Sequence, residues 1–241
     1  MLKYYLDNLL NIVYPKICVS CRKPLQNKAI DSCLCVGCWQ NIKRNIAPTC
    51  AVCGRQIRTK LPTNRLCLRC RKEKIHFDQA FSPCIYEGVI RNLIHRLKYQ
   101  NKEHLSPLLA RLLIEFIKQR GIKLNTFDLL IPVPLHNTRL RQREFNQAEL
   151  LARRLAEEFH LNTSYSNLWR KHYRKPQMQL EKQDRWNNIK GCFSLRYPAE
   201  IKHKNILLID DVLTTGATCS EAAHILKAAG AAKVCVLTLA N

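Results

Sequence analysis

The sequence predicts an α/β fold with a mainly parallel sheet, preceded by a small cysteine-rich module, and three observations predict it. In "NILLIDDVLTTGATCSEAAHILKAAGA", residues 205–231, an apolar run meets two aspartates and gives way to a glycine-containing loop and a helical pattern. Four C-x2-C pairs occupy the first seventy residues. Between these regions, two helical patterns precede a buried-strand pattern, so helices and apolar strands alternate as an α/β sheet requires.

The cysteine module comes first. Its pairs are Cys18/Cys21, Cys35/Cys38, Cys50/Cys53 and Cys67/Cys70, and the pattern C-x2-C-x13-C-x2-C occurs twice with a shift of thirty-two residues. That is an internal duplication. A C-x2-C turn presents two thiolates at the separation one tetrahedral Zn2+ needs, and two turns close a structural site, so two zinc ribbons are expected. Sequential pairing makes each repeat self-contained; cross-braced pairing of Cys18/Cys21 with Cys50/Cys53 is the alternative the spacing leaves open. A disulfide framework is disfavoured, because Asp7 interrupts what would be an export signal in "MLKYYLDNLLNIVYP" and the reading is cytoplasmic. Leu2, Leu6, Leu9, Leu10 and Val13 form an amphipathic face in the same segment, expected to pack on its own domain rather than on a membrane. Cys33, Cys84, Cys192, Cys219 and Cys235 fall outside the repeat and read as packed thiols.

Charge points to the partner class. Forty Lys and Arg against eighteen Asp and Glu give a formal net charge of +22, which favours a polyanion, nucleic acid ahead of an acidic membrane surface. Residues 1–78 carry fifteen basic and four acidic side chains, and two four-thiolate zinc sites lower their +11 to about +7.

The metal pattern ends at Asp78, which divides the chain into residues 1–78, an N-terminal helix and double ribbon, and residues 79–241, the α/β domain. Helical apolar spacing covers residues 88–98, leading to Lys98 and Tyr99, and again Leu105 to Arg120. "FDLLIPVP" reads as a buried strand stopped by Pro132 and Pro134. Helical spacing resumes at Ala148, Leu151, Ala152 and Leu155, which places Arg139, Arg141 and Arg143 just before a helix start, where they can hold pyrophosphate or a nucleic-acid backbone. Residues 169–193 show little periodicity up to Pro176 and read as a long loop. There Trp169, Tyr173, Trp186 and Phe193 mingle with Arg170, Lys171, Arg174 and Lys175, a composition suited to stacking bases while tracking phosphates, or to a mobile hood.

In the segment from residue 205, Ile206 to Ile209 form a buried strand that Asp210 and Asp211 end, a helix starts near Thr218 or Cys219, and Gly230 caps it. Free N–H groups at the helix start and the hydroxyls of Thr214, Thr215 and Thr218 suit a phosphate. The acceptor-only carboxylates suit vicinal ribose hydroxyls instead. A phosphorylated sugar satisfies both.

The order of apolar strand, two acids, two apolar residues and Thr-Thr-Gly-Ala-Thr resembles the 5-phosphoribosyl-1-pyrophosphate (PRPP) signature of type I phosphoribosyltransferases. The resemblance implies that fold for the larger domain. It also implies PRPP with Mg2+ as ligand, ribose contacts from Asp210 and Asp211, and a 5-phosphate site at Thr214, Thr215, Gly216, Ala217 and Thr218. "IPVPLH" resembles the pyrophosphate loop of the amidotransferase branch and implies that role for Val133, Pro134, Leu135 and His136. Purine-specific members carry an acid where this chain has Thr214, which argues against a hypoxanthine or guanine acceptor.

Together with "IPVPLHNTRLRQREFNQAELLA" and "RKPQMQLEKQDRWNNIKGCF", these parts resemble the ComF family of competence proteins, ComFC and GntX-like proteins included, across nearly the whole chain. The positions of Gln177 and Arg185 match that pattern; Glu144 stands where the family usually has glycine, which bears on backbone freedom there. The resemblance implies natural transformation: handling of incoming single-stranded DNA at the cytoplasmic side of the inner membrane, with peripheral membrane association, a DNA-uptake helicase and recombination proteins as partners. Two other readings stay open. One is an active phosphoribosyltransferase of another acceptor; the other is a PRPP-responsive nucleic-acid-binding regulator, for which no separate helix-turn-helix signal exists.

Overall fold

The computed structural model describes residues 16–25, 29–30, 32–57, 65–100, 102–172 and 182–241, with backbone alone at 182–185. The N-terminal amphipathic segment, Tyr173, Arg174, Lys175 and Gln177, and the side chain of Arg185, lie outside the described residues.

The larger domain is built on one four-stranded parallel sheet. Its strands are β3 (Gln79–Phe81), β4 (Leu129–Pro132), β7 (Asn205–Val212) and β8 (Lys233–Ala240), in the order β3-β8-β7-β4. The smaller strands are β1 (Ala29–Ile30) paired with β2 (Leu34–Cys35), and β5 (Leu168–Arg170) paired with β6 (Phe193–Leu195), both antiparallel. β7 is apolar on both sides because both its faces are covered, as is usual for parallel sheets. Leu207 and Ile209 face one core with helices α3 (Gly88–Tyr99), α4 (Ser106–Arg120) and α6 (Gln147–Phe159), while Ile206 and Leu208 face the other with α8 (Ala217–Ala228).

The two ribbons pack on opposite faces of this sheet. Cys18, Leu34, Cys38 and Ile42 join the core under α3 and α4, whereas Cys50, Cys53 and Ile57 join the core under α8. Short helices α1 (Val36–Gln40) and α2 (Leu68–Lys72) follow the second C-x2-C start of each repeat. Buried Asn45 sits between the ribbons and ties them to the sheet: its amide donates to the carbonyls of Gly54 at 2.9 Å and Ser82 at 3.3 Å and to Asn241 Oδ1 at 3.1 Å. The Asn241 amide in turn donates to the Cys53 carbonyl at 3.1 Å. Gly54 has φ +66°, and a Cβ there would lie 2.4 Å from the Ala80 carbonyl oxygen, so the second ribbon approaches β3 as closely as only glycine allows.

Three expectations are corrected. The aspartates do not end their strand: β7 runs on to Val212, because the ladder to β8 continues through Asp210↔Thr238 and Val212↔Ala240 whatever the side chains do. The following helix begins at Ala217, one residue early, with Gly216 at φ +79° as its cap. Residues 169–193 are no single long loop: β5 and β6 enclose α7 (Lys182–Ile189), a nonlocal pairing that local periodicity does not encode. Phe193 is thereby buried, and of that aromatic set Trp169 is the exposed member among the described residues. Arg139, Arg141 and Arg143 lie on a helix of their own, α5 (Asn137–Arg143), ahead of α6.

Candidate functional site

A cleft of about 520 Å3 opens at the carboxyl ends of β4 and β7, the end of a parallel sheet at which ligands bind. One wall is the segment Val133–Leu135 after β4, where the Val133 carbonyl accepts from the buried Asn146 amide at 3.1 Å. His136 leaves the cleft and caps α5, its Nδ1 accepting from the Thr138 N–H at 3.2 Å. Another wall is Asp210, Asp211, Thr214 and Thr218. Thr215 turns away: it is buried and its Oγ1 accepts from the Ala217 N–H at 3.4 Å, shaping the loop from inside.

The facing wall comes from α3, which carries Arg91, His95, Lys98 and Tyr99 into the cleft. Lys98 Nζ donates to Asp211 Oδ2 at 2.8 Å, with side chains only 19% and 9% exposed. Burial alone would lower the Lys98 pKa, but the Asp211 carboxylate more than offsets it and the net shift is upward. Among the described residues Asp210 has no such direct cationic partner. Its Oδ1 accepts from the Asp211 N–H at 2.8 Å, and the Cys219 thiol donates to its Oδ2 at 3.5 Å. Burial, then the neighbouring Asp211, push Asp210 up to about 7. One carboxylate is therefore neutralised in advance, and the other is poised between protonated and ionised at physiological pH.

Two arginines complete the floor. Arg143 is buried, donates to Gln147 Oε1 at 3.1 Å and lies 4.9 Å over the Tyr99 ring. Arg170, brought in by β5, has its Nε buried without a hydrogen-bond partner among the described residues. Burial lowers its pKa, the Cys192 sulfur opposing and Arg139 adding to the shift. A buried guanidinium with an unused donor is costly unless an anion completes it. Arg139 and Arg141 stand outside the cleft lining, and Lys171 is exposed beyond it. Glu144 ends α5 at φ +66°, a left-handed conformation that favours glycine, so the substitution noted in the sequence falls where it carries backbone strain.

Lys98, and Tyr86, which also lines the cleft, are not picked out by the sequence. The signal was present for α3, where Arg91, His95 and Lys98 recur at helical spacing on one face, but only the fold shows that this face meets Asp211.

The eight repeat cysteines gather as two sequential sets, Cys18/Cys21/Cys35/Cys38 and Cys50/Cys53/Cys67/Cys70, the ligand atoms of each set within 4.8 Å of one another. Cys21 and Cys35 sulfurs lie 3.8 Å apart and those of Cys53 and Cys67 3.6 Å apart. A tetrahedron of Zn–S bonds near 2.3 Å puts sulfurs about 3.8 Å apart, so the sets fit zinc and not the cross-braced alternative. Backbone N–H groups of Cys35 and Cys67 donate to the Cys18 and Cys50 sulfurs at 3.5 and 3.4 Å. Without metal the four thiols conflict. Burial would raise Cys18, yet the backbone N–H groups of Cys35, Cys21 and Ser20 bring it down to about 6, while burial and Cys35 push Cys38 up to about 12; a divalent cation lets all four ionise.

Among the described residues no helix is long and apolar enough to cross a membrane. Residues 9–71 match the double zinc ribbon domain, and residues 146–241 the phosphoribosyl transferase domain. The chain is similar to Competence protein F of Haemophilus influenzae, with 31% identity covering 93% of this chain and 96% of that protein. It is also similar to DNA utilization protein YhgH of Salmonella typhimurium, 29% identical over 95% of this chain and 98% of the relative. Competence protein ComFC of Bacillus subtilis is 27% identical over 87% and 84% of the two chains. A double zinc ribbon fused to a parallel-sheet phosphoribosyltransferase domain, shared at this identity over almost the full length, places the chain in the ComF family of competence proteins.

Proposed function

We propose that the chain serves natural transformation by handling incoming single-stranded DNA at the cytoplasmic side of the inner membrane, and that its cleft holds PRPP with Mg2+. The observation that carries the ligand reading is the convergence in one cleft of Asp210 and Asp211 with the incompletely bonded Arg170 and the α8 start. The carboxylates would accept from the ribose hydroxyls. The loop from Thr214 to Thr218 would take the 5-phosphate, and Val133 to Leu135 together with Arg143 and Arg170 would face the pyrophosphate, with His136 holding the start of α5 behind them. Mg2+ bound with PRPP would supply positive charge at the pyrophosphate that Lys98, already paired to Asp211, does not.

The names of the relatives and the excess of positive charge support the DNA reading. Residues 1–78 act as the ribbon module and 79–241 as the ligand-binding domain in this scheme, with a DNA-uptake helicase and recombination proteins as cooperating partners. Calorimetric titration with Mg2+ and PRPP tests the pocket: binding by the intact chain and none by Asp210→Asn/Asp211→Asn is expected, and equal binding by both would refute it. Pyrophosphate release on adding a base or nucleotide would instead move the chain to the transferase reading, and PRPP-dependent affinity for a defined duplex to the regulator reading.

A further inference from the structure

A second cavity lies on the far side of the Thr214 loop, between the second ribbon and the α/β domain. It is the larger of the two, about 1310 Å3, above the size usual for a small-molecule site. The ribbon contributes Arg55, Leu68, Arg69 and Lys72, α7 contributes Trp186, the buried Thr215 lines this side alone, and Thr214 is shared with the first cleft.

Both arginines point at one atom. Arg55 Nη2 donates to the Thr214 carbonyl at 3.0 Å, and Arg69 Nη1 donates to the same oxygen. A carbonyl is a poor match for two cations: it carries only partial charge, and the guanidiniums repel each other across it. Among the described residues, Arg55 Nε, Arg69 Nε and Arg69 Nη2 are all buried without a hydrogen-bond partner. Three unused donors on two adjacent guanidiniums form a fork whose natural complement is a phosphate oxygen. The zinc-thiolate group of the second ribbon offsets part of this charge but cannot satisfy donors that make no hydrogen bond to it. Lys72 is exposed at the rim and adds a third cation, against the single acid Glu73.

The lining also carries the apolar side chains Leu68, Ile85 and Trp186. Trp186 is half-buried, and Leu68 is 75% exposed, an unusual position for a leucine unless something covers it. An indole and an aliphatic side chain beside a phosphate fork fit an aromatic base attached to its phosphate. We infer that this cavity binds a nucleoside phosphate, with the phosphate on Arg55 and Arg69 and the base against Trp186. The same chemistry comes from an internal phosphodiester of single-stranded DNA or from a free mononucleotide. The inference deepens the nucleic-acid reading above and rests on it.

The test uses the full zinc-loaded chain and two probes: thymidine 5′-monophosphate, and a thymidine hexanucleotide without terminal phosphates, each titrated calorimetrically at fixed salt. Arg55→Gln/Arg69→Gln, Lys72→Gln and Trp186→Leu are compared with Arg120→Gln on α4, a basic position outside the cavity, and zinc content and PRPP binding are measured on every variant. The arginine pair and Trp186→Leu should each weaken the bound probe at least tenfold, Lys72→Gln about threefold and Arg120→Gln less than twofold. Zinc should stay at the wild-type level. Lys72→Gln and Trp186→Leu leave the arginine contacts to Thr214 intact, so they keep the test decisive if the double variant folds poorly. Loss with the hexanucleotide assigns the cavity to the DNA strand; loss with the monophosphate alone assigns it to a free nucleotide. Equal, small losses in all four variants, or no binding of either probe by the intact chain, would overturn the inference. Retained PRPP binding in that case would leave the first cleft's assignment standing.

Discussion

Replacing Lys98 with methionine tests how the cleft is held together. Lys98 is the direct counter-charge of Asp211, at 2.8 Å, and Asp210 adjoins it with no cation of its own in contact. Both partners are largely buried, so water cannot take over when the ammonium is removed. Methionine keeps the packing of the stem and deletes only the charge. Breaking a buried pair on one side costs about 3–5 kcal/mol, because a carboxylate is left without compensation. Here a second carboxylate beside it puts the loss at the upper part of that range. Removing both partners, Lys98→Met/Asp211→Asn, should restore most of it, for a coupling of at least about 2 kcal/mol. Urea unfolding at pH 7.5 with zinc at a fixed excess measures each corner of the cycle. A single-variant loss below about 1 kcal/mol, or a double variant that loses the sum of the singles, would refute the view that Lys98 neutralises Asp211 before ligand arrives.

Four further outcomes are expected. Asp210 is pushed up to about 7 from 3.8, so below pH 4 it is protonated folded or unfolded; from 4 to 7 only the unfolded chain releases the proton and stability falls as pH rises, and above 7 the loss is complete. Asp210→Asn should therefore unfold at higher urea than the parent at pH 8 and not at pH 4, and PRPP affinity of the parent, corrected for phosphate titration, should rise about tenfold from pH 6 to 8 as the ionised fraction grows from about 9% to about 91%. Native mass spectrometry should count two zinc ions, falling to one in Cys67→Ser and in Cys35→Ser, since each set is self-contained. Gly54→Ala should cost at least about 2 kcal/mol in urea unfolding, because a backbone oxygen occupies the space of the new methyl and φ is +66°. Glu144→Gly should stabilise by about 0.5–1 kcal/mol, relieving the left-handed backbone at φ +66°.

What the sequence revealed and what it hid follow one physical line. Asp210, Asp211 and the Thr214–Thr218 loop are legible because the strand, loop and helix that place them are contiguous, and the ribbons because eight cysteines at repeated spacing have one economical explanation. Contacts between distant segments are not legible. The register of α3 against Asp211 is set by packing on Leu207 and Ile209, so Lys98 looked like any helical lysine. The placement of the two ribbons on opposite faces of the sheet depends on Asn45 and Asn241, 196 residues apart, meeting at 3.1 Å. The β5–β6 pairing is short, three residues a side, and joins segments distant in sequence, Leu168 opposite Leu195, so no local period marks it. Strand extension past the aspartates depends on backbone hydrogen bonds to β8, which hydropathy does not register.

The central claim is that one chain couples a sugar-pyrophosphate cleft to single-stranded DNA. Its most direct test is the affinity of the zinc-loaded chain for a single-stranded oligonucleotide across a salt series, with and without Mg2+ and PRPP, on the intact chain and on Asp210→Asn/Asp211→Asn. The account predicts that affinity falls linearly on a log–log salt plot with a slope of several released counterions, and that PRPP shifts it only when both aspartates are present. Binding no tighter than that of an unrelated protein of equal positive charge, and indifferent to PRPP, would contradict it.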